Sequence, residues 1–249
     1  MMPSIYLSPS LQPYNLYVGG ETSEQAEMNR IADAMEPYLR TNDITFSRNT
    51  IGMTLGQAIR ESNAGDYDLH LALHSNAAPE SLSGKLQGTD VYYYAGSSQG
   101  KRAAEILAEN FKKIYPDPSK VRAVPTTRLV ELTKTNAPAV LMEIAYHDNP
   151  EDAAWILANT DKIAQNIVQG LTIYFGIPFI TPPEQPQKGV VITQTTGLNI
   201  REKPSTDAAV IGSAPKGATL TVNGEWNGWY AIVYNGITGY VSAQYVRLV

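Results

Sequence analysis

The 249-residue chain contains no cysteine and only three histidines, His70, His74 and His147. Without cysteine there is no disulfide and no thiol nucleophile, and any metal must be held by imidazole, carboxylate or amide oxygen. No run approaches the eighteen or so consecutive apolar residues that a helical membrane span needs. Positive charge is also scarce: 19 Lys and Arg stand against 24 Asp and Glu, a net charge of −5 that argues against a nucleic-acid binder. Residues 1 to 10 offer no basic segment followed by an apolar core, so no secretory signal peptide is visible there. What is present is ordinary globular material, 43% hydrophobic, in a length suited to one large domain or to one medium and one small.

Composition changes at a seam. Pro178 to Gln187 carries four prolines in ten residues, which predicts an extended, semi-rigid linker and a boundary near residue 180. Upstream, β-like and helical stretches alternate, as in an α/β domain with a twisted, mostly parallel sheet flanked by helices. Downstream, from Lys188, only short β-like runs remain, punctuated by Asn-Gly and Gly-rich turns. The expected division is therefore 1–177, a linker over 178–187, and a small all-β barrel over 188–249.

In the upstream part, Asp68 to Ala78 is an apolar run that ends on His74 and breaks into small polar residues. Leu69, Leu71 and Leu73 alternate with His70, Ala72 and His74, which is the period of a strand. On a strand the two histidines lie roughly 13 Å apart, too far to share an ion, so only His74 at the strand's end is a ligand candidate. Thr22 and Gln25 read as a capping box opening an amphipathic helix with Met28, Ile31, Ala32, Met35 and Leu39 on its apolar face. At about 100° per residue, Glu24 projects within about 20° of that face and Glu27 about 80° from it. An inward carboxylate needs a partner, which a cation can supply.

Glu143 interrupts the apolar run Pro138 to Tyr146, where desolvation raises a carboxylate's pKa toward the range of a general acid/base. Asn149 then caps a helix with Pro150 at its first position. The helical tail runs to Phe175 with a break near Asn159 and Thr160, and Ile163, Ile167, Leu171 and Tyr174 form its packing stripe. Glu24, His74 and Glu143, each at the edge of an element, together make a hydrolytic zinc site plausible.

Thr45 to Asn49, Arg60 to Ala64, Asp68 to Ala77 and Val140 to Pro150, in this order and spacing, resemble zinc-dependent N-acetylmuramoyl-L-alanine amidases of the Amidase_3 type. The resemblance spans roughly residues 3 to 176. It implies zinc as cofactor and peptidoglycan as partner, with hydrolysis of the amide between N-acetylmuramic acid and the L-alanine of the stem peptide. Glu24 and His74 match the family's zinc-binding glutamate and second histidine, and Glu143 its catalytic glutamate. One position departs. The family's Asp-Pro-Gly-His-Gly segment reads Ser8-Pro9-Ser10-Leu11-Gln12 here, without a histidine. Either Gln12 ligates through its amide oxygen, a poor zinc ligand, or another residue substitutes; His147, four residues past Glu143, is the preferred substitute, and weak zinc binding is a third possibility. Arg48 and Asn76 are candidate substrate contacts.

Gly197 to Ser205, Val210 to Gly212, Lys216 to Val222, Trp226 to Val233 and Gly239 to Tyr245 resemble a bacterial SH3 domain, which implies a wall-targeting module. Asn227-Gly228 and Asn235-Gly236 are type I′ hairpin signals. Trp226, Trp229 and Tyr240 are expected in the barrel core. The expected protein is a monomeric, modular wall hydrolase acting in the cell wall or outside the cell. The competing expectation is a silent wall-binding protein with a degenerate site. The missing signal peptide leans toward a phage lysin over an autolysin or sporulation enzyme.

Overall fold

The computed structural model describes residues 2–182, 187–194 and 196–249. The chain divides into two compact units, 1–36 with 44–176, and 37–43 with 177–249.

The first unit runs β1 (Ser4–Pro9), α1 (Glu24–Thr41, whose last turn belongs to the second unit), β2 (Thr45–Arg48), α2 (Leu55–Ala64) and β3 (Leu69–Asn76). It continues with β4 (Thr89–Tyr94), α3 (Ser98–Phe111), β5 (Val121–Thr126), α4 (Val130–Thr133), β6 (Ala139–Tyr146), α5 (Pro150–Ala158) and α6 (Thr160–Phe175). Six strands form one sheet in the order β2-β1-β3-β6-β4-β5, parallel throughout except where β4 meets β6. The expected mostly parallel α/β sheet is what the chain builds.

Period two in β1, β3 and β6 sorts the sheet into two chemically distinct faces. On one lie Ile5, Leu7, Leu69, Leu71, Leu73, Val140, Met142 and Ile144, all fully buried. The register pairs Tyr6 with His70, Ser8 with Ala72, and His74 with Glu143, so the other face carries the polar side chains in a row. Asp90 of β4 pairs with Glu143 and extends that row.

Local signals explain most element ends. Asn149 accepts from the backbone N–H groups of Glu151 and Asp152 and Pro150 opens α5, as expected. Gly176, at φ 69°, ends α6 in the left-handed conformation. The start of α1 differs from the expectation. Ser23 rather than Thr22 is the cap, its Oγ accepting from Ala26 N, while the Thr22 hydroxyl donates to Glu27. That bond, with Arg30 at 2.8 Å, lets Glu27 be as buried as Glu24.

Two aspartates hold the loop that follows β3. Asp148 accepts from Ala78 N and Gly84 N, and Asp152 from Gly88 N, Tyr146 N and the Tyr115 hydroxyl. Gly88 sits at φ 121°, and a Cβ there would lie 2.5 Å from the Lys120 carbonyl oxygen, so this position admits only glycine.

The second unit is an antiparallel sheet of β7 (Gln187–Val191), β8 (Leu198–Arg201), β9 (Val210–Ala214), β10 (Thr219–Trp226), β11 (Trp229–Tyr234), β12 (Ile237–Ser242) and β13 (Val246–Leu248), in the order β13-β7-β10-β11-β12-β8-β9. Asn227, Gly228, Asn235 and Gly236 all have positive φ, as type I′ turns require, and pair Trp226 with Trp229 and Tyr234 with Ile237. Val191, Leu198, Ile200, Ala214, Leu220, Val222, Ile232, Val241 and Val246 make its core. Trp226 and Trp229 are only half-buried and pack with Tyr240 on a separate cluster around Ile180 and Ala231. Ile180 is fully buried and its backbone is held by both ends of the Asn42 amide, so this part of the expected semi-rigid linker is packed into the second unit. Residues 183–186 of that linker lie outside the described residues.

Candidate active site

The polar face of the sheet opens at its edge into a cavity of about 360 Å³. Ser8, Ser10, Gln12, His74, Glu131 and Glu143 line it, with Leu11, Leu55, Leu129, Val130 and Leu141 as apolar walls. Strand ends of β1, β3 and β6 and the one-turn helix α4 thus converge on one space, the usual placement of chemistry in open α/β sheets.

His74 is the centre of the arrangement. Its Nδ1 lies 2.8 Å from Glu24 Oε1 and 3.4 Å from the Gln12 amide nitrogen. Its Nε2 lies 3.6 Å from Glu131 Oε2. Burial alone would push the imidazole's pKa down, but the carboxylates of Glu131 and Glu24 outweigh it and hold it up at about 10. Glu24 is buried too, which acts to raise its pKa; the hydrogen bonds from His74, Asn15 and Ser10 outweigh this and bring it below the usual carboxylate value. The Asn15 amide donates to Glu24 Oε2 at 2.6 Å and to Gln12 Oε1 at 3.2 Å, tying all three residues together.

Glu143 stands beside His74 on the neighbouring strand. Burial pushes its carboxyl up to about 7, with His74 opposing and the charges of Glu24 and Asp90 adding to the rise. Its Oε2 is buried without a hydrogen-bond partner among the described residues. A half-neutral carboxyl with an unused oxygen in a cavity is poised to take up and release a proton near neutral pH.

The expected site residues are only partly brought together. Glu24, His74, Glu143 and Gln12 meet. His147 does not join them: its Nδ1 lies 2.8 Å from the Ser75 carbonyl and 3.0 Å from the Ser75 hydroxyl, and its ring stacks on Tyr17. The chain turns after β6 and carries the ring to the residue after His74, which projects to the other side of the strand. Arg48 is likewise drawn elsewhere, clasping Asp33, Glu36 and Asn29 of α1. Asn76 closes β3 opposite Tyr146 and does not line the cavity. His70 is a buried strand residue, stacked on Tyr6 and bonded to Ser62 and Glu131.

Glu131 is the residue that sequence reasoning missed. It is 4% exposed, and it carries the same signal that marked Glu143, a carboxylate inside an apolar run, here Leu129 to Leu132. Burial, which raises its pKa, is outweighed by His70 and His74, which hold it far below the usual range.

The donors can be tested against the divalent ion that the resemblance implies. Among the described residues no group of three His, Asp or Glu is arranged to hold a metal. The strong donors that face one another are Glu24 and the Nδ1 of His74, with the Gln12 amide as the third group at the same point. Gln12 turns its amide nitrogen to His74 while its oxygen accepts from Asn15, so two donors are left where a catalytic zinc takes three, and as arranged these residues do not complete a zinc site.

Buried carboxylates gathered around one histidine at the edge of a mostly parallel sheet mark an α/β domain with a candidate active site, and an antiparallel β unit follows it. The family profile described as N-acetylmuramoyl-L-alanine amidase matches residues 16–173, and the chain belongs to that family. A second, described as bacterial SH3 domain, matches residues 196–247. The chain is 43% identical over 61 residues to the putative N-acetylmuramoyl-L-alanine amidase YrvJ of Bacillus subtilis, covering 23% of this chain and 12% of that protein. It is 26% identical over 181 residues to the endolysin of Bacillus phage SPP1, covering 69% and 60%. The chain thus spans less than two thirds of the length of either relative. Among solved structures, the N-acetylmuramoyl-L-alanine amidase of Clostridium difficile 630 superposes with a TM-score of 0.62 at 18% identity, over 70% of this chain and 97% of that one. The catalytic domain of the amidase CwlV from Bacillus (Paenibacillus) polymyxa gives 0.61 at 19% identity, over 71% and 100%. At these identities the likeness is one of fold.

Proposed function

We propose that the protein is a peptidoglycan hydrolase that cleaves the amide between N-acetylmuramic acid and the L-alanine of the stem peptide, using zinc, with the β-barrel unit binding the cell wall. The observation that carries this is His74, paired with Glu24, lining one open cavity together with Glu143, which has an unpartnered oxygen.

Glu24 and His74 would hold the ion, with Gln12 beside them. When bound, zinc lowers the pKa of a water molecule and polarises an amide carbonyl. The chain's own residues do the rest. Glu143, ionised in part of the molecules near neutral pH, takes the proton of the attacking water and passes it to the leaving amine nitrogen. The apolar wall of Leu11, Leu55, Leu129, Val130 and Leu141 excludes bulk water, so a charge developing at the carbonyl is stabilised by fixed groups. The barrel unit has its own groove, with Arg201, Trp229 and Tyr245 among its lining residues, where a wall polymer can dock. Tethering raises the effective concentration of the catalytic unit at its substrate.

A second reading is a wall-binding protein with a silent site. It is favoured by His74, which already has a carboxylate at each ring nitrogen and so forms a self-contained charge cluster. Zinc content measured alongside release of free L-alanyl amino termini from purified peptidoglycan separates the two. Absence of both would sink the enzyme reading.

A further inference from the structure

The second unit carries a groove of about 700 Å³, within the usual range of ligand sites. It opens where two strands part. β8 and β12 are joined at a single pair, Arg201 with Tyr240, and beyond that pair Asn199 of β8 and Ser242 of β12 both line the groove. The helical turn Ala243–Tyr245 adds Gln244 and Tyr245 to the lining. One lining hydroxyl has no partner. Thr193 is 8% exposed, and its Oγ1 is buried without a hydrogen bond among the described residues. Native structures rarely leave such a group unpaired, and a threonine hydroxyl can turn to donate or to accept. A ligand rich in hydroxyl or acetamide groups supplies what the unit itself does not.

The rest of the lining narrows the class of that ligand. Among the described residues it holds no aspartate, glutamate or lysine, and its one cation, Arg201, already donates to the Ala208 carbonyl at 2.7 Å. Neutral polar groups take their place, with the carboxamides of Gln194, Asn199 and Gln244 prominent. Trp229 and Tyr245 add aromatic rings, and Tyr245 is 44% exposed. Rings beside carboxamides and hydroxyls suit a neutral saccharide, whose C–H faces rest on the rings while its oxygens and N-acetyl groups take the hydrogen bonds. A stem peptide is marked instead by its carboxylates and amine. Beyond the engaged Arg201, this lining offers those groups no opposite charge.

We propose that this groove holds the glycan strand of the wall polymer, through its N-acetylated sugars and not through its peptides. The inference deepens the reading of the second unit as wall-binding and rests on it. Thr193 supplies a hydrogen bond from the groove's buried side, and Tyr245 and Trp229 supply the surfaces on which sugar rings stack.

The test uses the full chain as wild type, Thr193→Val and Tyr245→Ala. Each is titrated by calorimetry with soluble chitin oligomers, which carry an N-acetylated sugar backbone, and separately with a synthetic stem peptide that begins with L-alanine. Wild type is expected to bind the oligomers saturably and the peptide not at all. Thr193→Val should weaken oligomer binding by about fivefold, the worth of one hydrogen bond, and Tyr245→Ala by about tenfold. Thr193→Val keeps the side-chain shape and deletes only a buried, unpaired hydroxyl, so its thermal midpoint should stay at or above that of wild type. Binding of the peptide in place of the oligomers overturns the proposal. Oligomer binding that neither substitution weakens overturns it too, because the sugars would then sit outside this groove. Co-sedimentation with purified peptidoglycan separates the two levels of failure. A chain that sediments with the wall but ignores the oligomers refutes the glycan assignment alone, and one that does not sediment refutes the wall-binding reading with it.

Discussion

His74 and Glu143 are register partners on neighbouring parallel strands, so that the residue read as metal-holding and the residue read as the base face the same cavity with no loop between them. Because both sit on strands, their separation is set by the sheet spacing, and this is the rigid part of the site.

Glu143→Gln keeps the shape and removes the proton acceptor. Its expected effect is a fall of about 10²–10⁴-fold in release of amino termini from peptidoglycan, with zinc content and thermal midpoint close to wild type. Normal cleavage by this variant would exclude Glu143 as the base.

Because His147 is held at Ser75, zinc retention is expected to depend on Gln12 rather than on His147. Gln12→Ala is expected to lower zinc affinity by about 10-fold, and Gln12→His to raise it, since imidazole is a far better zinc ligand than an amide. His147→Ala should leave zinc content unchanged while costing about 2 kcal/mol of stability, through its lost Ser75 hydrogen bond and Tyr17 stacking. Equilibrium dialysis against zinc and denaturant unfolding of the same proteins read both effects. Loss of zinc in His147→Ala would restore it as a ligand.

Asp152 ties the segment between β3 and β4 to the end of β6 and to Tyr115, accepting from Gly88 N, Tyr146 N and the Tyr115 hydroxyl. Asp152→Ala leaves three buried donors without an acceptor and is expected to cost about 3 kcal/mol or more. Tyr115→Phe, which removes only one of the three, should cost about 1 kcal/mol. Urea unfolding would show the ranking; equal losses would contradict the hub role.

Asp43 of the second unit has its carboxyl pushed up to about 6 by burial, against a hydrogen bond from Tyr240 that acts to lower it. The folded state therefore binds the proton more tightly than the unfolded chain, whose value is near 3.8. Stability from this group is fully present below about pH 4 and declines as pH rises through about 6. Asp43→Asn removes the titration, keeps an acceptor for Tyr240, and suits the left-handed backbone at φ 54°. It should stabilise the protein by about 1–2 kcal/mol at pH 8 and hardly at all at pH 4. Equal gains at both pH values would refute the assignment.

Much of this protein is local in origin. The period-two leucines of β3, the Asn149-Pro150 start of α5, the break between α5 and α6, and the two Asn-Gly hairpins each depend on a few adjacent residues, and all are where the sequence puts them. His74 and Glu143 were legible for the same reason, as polar residues ending or breaking apolar runs. Burial of Glu27 was not, because it depends on Thr22 and Arg30 reaching over it rather than on the helical angle.

The partners of buried charges belong to the tertiary structure alone. Glu131 is 61 residues from His70 in the chain, yet α4 folds over the polar face of the sheet and sets it between two histidines. His147 is four residues from Glu143, yet the turn after β6 carries it to Ser75. Sequence spacing determined which side chains each strand offers to which face. Strand order and the path of the connecting loops decided which of them meet, because a buried charge is stable only where the fold brings it a partner.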